Sequence, residues 1–529
     1  MIDKEKDYIL QVNLKNYFEN EMGKETWLTV YEDKKGEDFG IYCCLIPNER
    51  INISLSYAEW VTEFGNDEDI ELLVICRNWH GVKESYNEIS EEFRFFHNLY
   101  FDGKNNKYIK IDEDGNEDDA IIFENDCIKI KLLYIRQFLA IKENVLLIQI
   151  DSVYSSKYSL EELSLNKKNE DYKTNDDIYY YTFWLKELSL GEDKTVSRLL
   201  GKKVIYPLPK EKSGIYPYNK KERKYLDFII GIDESGQEIT YNCNPDNLAN
   251  NFGANKGAPN YLTPVFFKKE VLTKYYSYPE KYTVKDSNIR CGGLWDLRID
   301  NNHLEYVNVY LGDLGKYISS NEQLYWKSFN IASDSNISNT RFKRDVSAEW
   351  VDPERADLCF KSILNVFQEK WEKKYEWNFF KPLTEEDAYR YSSLRIPLNN
   401  SQLEFDGQIG NLAIIIIDSL NIKEINKYIN PSKEDKGIDR LEQFFVKKDF
   451  KGYKEHIDFL RNLQSLRSTG VAHRKGENYE KIVKIFKIDE NDLQKVFEDI
   501  LIKAISFIKY LEVNLIYTEK VITENIEAI

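Results

Sequence analysis

The sequence is poor in the residues that build metal centres and disulfide frameworks. Five histidines occur in 529 residues, and no two lie within ten positions of each other, so there is no local His-rich metal motif. The seven cysteines are odd in number and include no Cys-x-x-Cys. Buried free thiols in a reducing compartment therefore fit better than disulfides or a zinc site. No stretch reaches 18 consecutive apolar residues; the run from Leu412 to Ile417 stops at Asp418. A membrane-spanning segment is thus not expected. The opening MIDKEKDYIL lacks the basic-then-apolar pattern of a secretion signal, so the expected location is cytoplasmic. Positive charge is in deficit, with 73 Lys and Arg against 90 Asp and Glu and a net charge of −17. Such a surface repels nucleic acid in general and leaves RNA contact to a local basic patch.

Apolar and aromatic residues are plentiful, at 42% and 14%. That is ample for two or three packed domains at roughly 100–200 residues each. The pattern predicts an α+β protein: an N-terminal β-rich antiparallel region followed by a C-terminal all-helical bundle. The expected divisions are 1–165, 178–345 and 346–529, the second being either a β-rich subdomain of its own or one unit with the first. Residues 26–32 and 71–79 read as strands, and 108–135 reads as a meander, with a helix at about 134–143 before the strong strand 144–154. The polar segment 165–177 reads as a long surface loop or linker. Further hairpins are expected at 226–243, around an Asp-Glu-Ser-Gly turn, and at 293–312, around Asp-Asn-Asn.

Three features of this region invite functional readings. The acidic string Asp112 to Asp119 resembles a calcium loop in charge only; it lacks the ligand spacing and reads as a hairpin tip. Lys202, Lys203, Lys210, Lys212, Lys220, Lys221, Arg223 and Lys224 form the densest basic run, interleaved with tyrosines. It reads as a solvated loop or, alternatively, as a track for a phosphate backbone. The loop holding Gly253, Gly257 and Pro259 is not a phosphate loop, because Lys256-Gly257 is followed by Ala-Pro.

The pattern changes near residue 345. Asp352-Pro353 is the expected start of a helix with Leu358, Ile363, Leu364, Phe367 and Trp371 on one stripe. Further helices are expected from Ser401 to about Leu420, from Ile438 to Lys447, and from Lys451 to Arg467. Two more are expected from about Asn478 to Phe486 and from Asn491 to Leu515. The fourth presents Ile457, Leu460, Leu463 and Leu466 inward. Its end reads Leu-Arg-Ser-Thr-Gly-Val-Ala-His-Arg-Lys-Gly. Arg467, His473, Arg474 and Lys475 thus gather within nine residues of an acidic chain, and the imidazole can move a proton near neutral pH.

An arginine, five residues and a histidine at a helix end inside a helical bundle resemble the motif of the HEPN superfamily. The resemblance covers roughly residues 350–520. Arg298-x(4)-His303 matches the spacing too, but lies across an expected hairpin. The resemblance implies a metal-independent endoribonuclease that needs no cofactor. Arg467 and His473 would be catalytic, and Ser468, Arg474 and Lys475 would contact RNA. The products would be a 2′,3′-cyclic phosphate and a 5′-hydroxyl. It further implies a homodimer through the helical domain. By analogy the chain would be a toxin or antiphage abortive-infection effector, its N-terminal region sensing a protein or phage-derived trigger. Active members often carry Asn, Asp or His after the arginine; here the residue is Ser468. A second reading is therefore an inactive scaffold or RNA-binding protein. A third is an enzyme whose site lies in the first two thirds, marked by a polar pocket near Asn255–Tyr261 or Trp295.

Overall fold

The computed structural model describes residues 2–19, 26–33, 38–47, 70–173, 178–189, 191–218, 223–303, 305–333, 337–345, 347, 353–470, 477–489 and 492–517. The protein is α+β, with a β-rich antiparallel region followed by a helical one. It divides into two compact units, Met1–Glu222 and Arg223–Ile529.

The first unit is built on an antiparallel sheet. Its strands are β1 (Trp27–Asp33), β2 (Phe39–Pro47), β5 (Tyr100–Asp102), β6 (Lys107–Ile111), β7 (Glu117–Glu124), β8 (Cys127–Lys131), β9 (Asn144–Ser156), β10 (Lys168–Lys173), β11 (Tyr179–Glu187) and β12 (Thr195–Ile205). Among the described residues the order is β10-β11-β12-β9-β2-β1-β8-β7-β6-β5. A separate ribbon pairs β3 (Val74–Arg77) with β4 (Tyr86–Ile89). The helices α1 (Ile2–Ile9), α2 (Val12–Glu19), α3 (Glu91–His97) and α4 (Leu132–Lys142) bring Ile9, Phe18, Phe93 and Phe138 onto one face, against Leu28, Ile130, Ile148 and Ile150. Cys44, Ile46, Val145, Leu147 and Val204 form a smaller cluster of their own. The two-residue alternation of β9 between these clusters is the mark of a strand buried on both sides.

Three expectations change here. Within the polar segment 165–177, Lys168–Lys173 is not loop or linker but a strand paired to β11 from Lys168↔Leu185 to Lys173↔Tyr180. An edge strand needs only backbone partners on one side and tolerates polar side chains. Consequently β11 and β12 belong to the first sheet, and the division between the units falls at Glu222/Arg223. Residues 132–135 turn into α4 instead of extending the meander. Lys202 and Lys203 are not in a solvated loop but within β12, both buried. The Lys203 amine donates to the Tyr17 and Phe18 carbonyls in the last turn of α2, at 2.8 and 2.9 Å, and burial pushes its pKa down to about 8.

The second unit opens with the expected hairpin, β13 (Asp227–Ile232) and β14 (Glu238–Asn242), and continues with β15 (Pro264–Lys268), β16 (Tyr282–Val284), β17 (Asn288–Cys291), β18 (Trp295–Arg298), β19 (Tyr306–Tyr310) and β20 (Asn330–Ile331). The hairpin expected at 293–312 does not form. β18 pairs with β17 and β19 with β15; a single bridge, Asp300↔Asn308, joins the two segments. The buried Lys269 amine donates to the carbonyls of Asn301 and His303 and pins the connection in place of a tight turn. Gly315 packs so closely that a Cβ there would fall 1.9 Å from the Cys243 carbonyl oxygen.

The helical part comprises α9 (Ala356–Tyr375), α11 (Gln402–Ala413), α13 (Gly437–Lys447), α14 (Tyr453–Gly470), α15 (Glu477–Phe486) and α16 (Leu493–Leu511). These follow α5 (Thr273–Ser277), α6 (Leu311–Tyr317), α7 (Ser320–Lys327) and α8 (Asn339–Asp345), and the short helices α10 (Ala388–Ser393) and α12 (Ile422–Ile425) intervene. The expected stripes are buried: Leu364, Phe367 and Trp371; Ile457, Leu460, Leu463 and Leu466; Phe497, Leu501 and Ile508. Helix α9 starts at Ala356, later than expected, with Arg355 as its cap residue. No helix among the described residues is long and apolar enough to cross a membrane. All seven cysteines are free thiols.

Candidate functional site

Burial of the α14 stripe decides where Arg467 goes. Leu463 and Leu466 face the core, so the next position meets the edge between core and solvent. Arg467 lies in the last turn of α14, where a cation is favoured by the negative end of the helix dipole. Its side chain is 34% exposed, and Nη1 donates to Asp418 Oδ2 at 2.5 Å. Asp418 itself ends a π-helical turn, Ile414–Asp418, that continues α11. That turn buries Ile415, Ile416 and Ile417 and ends with Asp418 43% exposed beside the arginine. A π turn holds one residue more than an α turn, so it changes the direction in which the next side chains point; such turns are frequent at functional sites.

Ser468 is exposed, and its hydroxyl donates to the Ser465 carbonyl at 3.0 Å, a bond back into its own helix. His473, Arg474 and Lys475 lie outside the described residues. The structure therefore brings Arg467 and Asp418 together and places Ser468 one residue on. A guanidinium in this state is oriented but occupied: a phosphate has to compete with one carboxylate for it. Because the pair is partly open to water, that competition is mild.

Sequence reasoning missed Asp418 as a site residue. Its only signal was a lone carboxylate closing four isoleucines, which marked the end of an apolar run and gave no hint of Arg467, 49 residues away.

The second Arg-x(4)-His match does not make a comparable pair. His303 stacks on Tyr306 with ring centroids 4.2 Å apart, and its nitrogen meets the Tyr306 hydroxyl at 3.3 Å. His456 is half-buried against Tyr510, and burial lowers its pKa. The acidic string is a hairpin tip: Asp112 Oδ1 accepts from the backbone N–H of Asp114 and Asn116 at 2.9 and 2.8 Å. No group of three or more His, Cys, Asp or Glu side chains arranged for a metal occurs among the described residues. A polar cavity does lie against β18, lined there by Asp296 and Arg298; neither Trp295 nor the loop 255–261 lines it.

Comparison with known proteins adds no relative: no protein-family profile matches the chain, and neither curated sequences nor solved structures give a significant match.

Proposed function

We propose that the protein is a metal-independent endoribonuclease acting through Arg467 and His473 at the end of α14. The observation that carries this reading is Arg467 itself, a partly exposed guanidinium in the last turn of a core helix, six residues before His473. RNA supplies its own nucleophile. His473 takes the proton of the 2′-hydroxyl as that oxygen bonds to phosphorus. The bond from phosphorus to the 5′-oxygen breaks, that oxygen takes a proton from water as it leaves, and His473 then gives its own proton back to the solvent. Arg467 leaves Asp418 and stabilises the charge on the non-bridging oxygens through paired N–H donors. The products are a 2′,3′-cyclic phosphate and a 5′-hydroxyl. Arg474 and Lys475 supply the local positive field that the acidic chain otherwise lacks, and Ser468 contributes a hydroxyl beside the phosphate. The helical part pairs two copies so that two motifs face one cleft, and the β-rich part senses a protein or phage-derived trigger. The setting is a cytoplasmic toxin or antiphage effector.

The test is cleavage of single-stranded RNA by the full chain with chelator present. Arg467→Ala and His473→Ala are expected to lower the rate by about 10²–10⁴-fold while leaving the fold intact. Equal cleavage by the wild type and both variants overturns the proposal. The Arg467–Asp418 pair favours one second reading, an RNA-binding scaffold without catalysis, because the guanidinium already has an anionic partner. That reading predicts RNA retention without chain scission in the same assay.

A further inference from the structure

A cavity of about 480 Å³ in the second unit is walled by four cations and four carboxylates, and their pairing is unequal. Every carboxylate has partners. Asp286 is ion-paired with Arg344. Asp296 accepts from Arg290 at 2.8 and 3.0 Å and from Asn288 at 2.8 Å. Asp345 accepts from Arg341 Nε at 3.0 Å and from the Tyr310 hydroxyl at 3.1 Å. Asp300 is buried and accepts from Ser338, Asn302 and Asn308; desolvation pushes its pKa up, but these bonds outweigh it and hold the carboxyl below its usual value.

The cations are not matched in this way. Lys285 and Arg298 are exposed at the cavity, and neither amine nor guanidinium has an acceptor among the described residues. Arg341 is 5% exposed and lies over the Tyr310 ring at 3.9 Å; its Nη2 is buried with no acceptor. An unsatisfied N–H on a buried guanidinium is uncommon, and water, an ion or a ligand can fill it. Charged groups of both signs line this space, yet the two that lack any ion-pair partner among the described residues, Lys285 and Arg298, are both cations.

A second cavity of about 580 Å³ shares Lys285, Asp286, Ser287 and Arg344 with the first. Its walls are mainly apolar, from Tyr275, Tyr276, Tyr282, Pro279, Val284 and Leu358. Both volumes fall in the range of small-molecule sites, about 300–1,000 Å³. One space thus offers unpaired positive charge, and the space joined to it offers aromatic walls.

We propose that the two cavities form a single binding site for a small phosphorylated aromatic compound of the mononucleotide class. Its phosphate meets Lys285, Arg298 and Arg341 Nη2, and its ring enters the tyrosine-lined cavity. The site is independent of Arg467 and His473.

The test is calorimetric titration of the full chain with AMP, GMP, CMP and UMP, with the matching nucleosides and with inorganic phosphate. At least one nucleotide is expected to bind, its nucleoside at least ~10-fold more weakly, a difference of about 1.4 kcal/mol. The double variant Lys285→Ala/Arg298→Ala removes side chains that hold no partner, so it keeps the fold. It is expected to weaken the nucleotide by ~10-fold or more. Ser362→Trp, at an exposed position of α9 lining the second cavity, is expected to weaken the nucleotide and spare inorganic phosphate. Arg467→Ala is expected to bind as the wild type does, which separates this site from the ribonuclease centre. Absence of binding by all four nucleotides, or binding unchanged in the double variant or abolished in Arg467→Ala, overturns the proposal. Equal binding of nucleotide and nucleoside overturns the assignment of the phosphate.

Discussion

Arg355–Asp357 and Arg467–Asp418 are both arginine–aspartate pairs of the second unit, and they occupy opposite environments. Arg355 donates through Nε and Nη2 to the two Asp357 oxygens at 3.0 and 2.5 Å, with side chains 3% and 1% exposed. Its Nη1 donates to Asn301, and Asp357 also accepts from the Ile396 N–H at 2.9 Å. Every nitrogen of the guanidinium and both carboxylate oxygens have partners inside the protein. Arg467 makes one bond to a carboxylate that is nearly half in water. Two charges taken fully out of water must be completely satisfied, and they then serve the fold. A pair left at the surface contributes little to stability, so its guanidinium is available for other work.

The largest effect that would break this contrast is catalytic. Arg467→Ala is expected to lower RNA cleavage by about 10²–10⁴-fold with an unfolding free energy changed by under about 1 kcal/mol. A large loss of stability in a chemical-denaturation series would instead make Arg467 a structural residue.

The mirror experiment is Asp357→Ala. Stranding the buried Arg355 charge is expected to cost about 3–5 kcal/mol. The Asp357 pKa gives a pH signature. Desolvation raises it, but the Arg355 charge and hydrogen bonds outweigh that and hold it below the unfolded value. The stabilisation is therefore complete above the unfolded carboxylate range, near pH 4, and is lost as pH falls through the lower folded value. An unchanged denaturation midpoint for Asp357→Ala would remove the distinction between the two pairs.

His97 carries the comparison into the first unit: burial there holds the neutral form, and stability again falls with pH. It is 2% exposed, its Nε2 meets the Tyr134 carbonyl at 2.9 Å, and burial with the nearby Lys110 charge lowers its pKa to about 3. Between pH 6.5 and 3 the unfolded chain takes up a proton that the folded chain refuses, so stability falls as pH drops. From pH 6.5 to 5 the loss is about 2 kcal/mol at roughly 1.4 kcal/mol per pH unit. His97→Gln is expected to flatten that slope in urea titrations of the full chain. An equal slope in both proteins would mean that the imidazole titrates freely.

The smallest expected change is the most informative about the candidate centre. Asp418→Asn frees Arg467 of its anionic competitor at a cost of under about 1 kcal/mol. RNA affinity is expected to rise, with a steeper salt dependence as one more cation meets phosphate. Weaker RNA binding would make Asp418 an orienting partner rather than a competitor.

The legible parts of this protein were those whose burial repeats along the chain. Leu460, Leu463 and Leu466 are spaced to share one helix face, and the start of β9 is a near-continuous apolar run because the strand is buried on both sides; both patterns are local. The strand Lys168–Lys173 was missed because an edge strand takes its stability from backbone pairing, which leaves no apolar trace. Lys203 was misread as solvated because a lysine can be buried when helix-end carbonyls await it, and nothing near position 203 announces Tyr17 and Phe18.

The residues alone settled that the first part would be strands and the last part helices, and they placed Arg467 in the closing turn of its helix, because hydrophobic periodicity is a local property. Only the tertiary structure decided which charges are satisfied. The pairing of Arg467 with Asp418, the sealing of Arg355 with Asp357, and the unmatched donors of Lys285, Arg298 and Arg341 were set by how the chain packs in space. Electrostatic interactions depend on distance in space and on the water left between the groups, neither of which is written in the order of the residues.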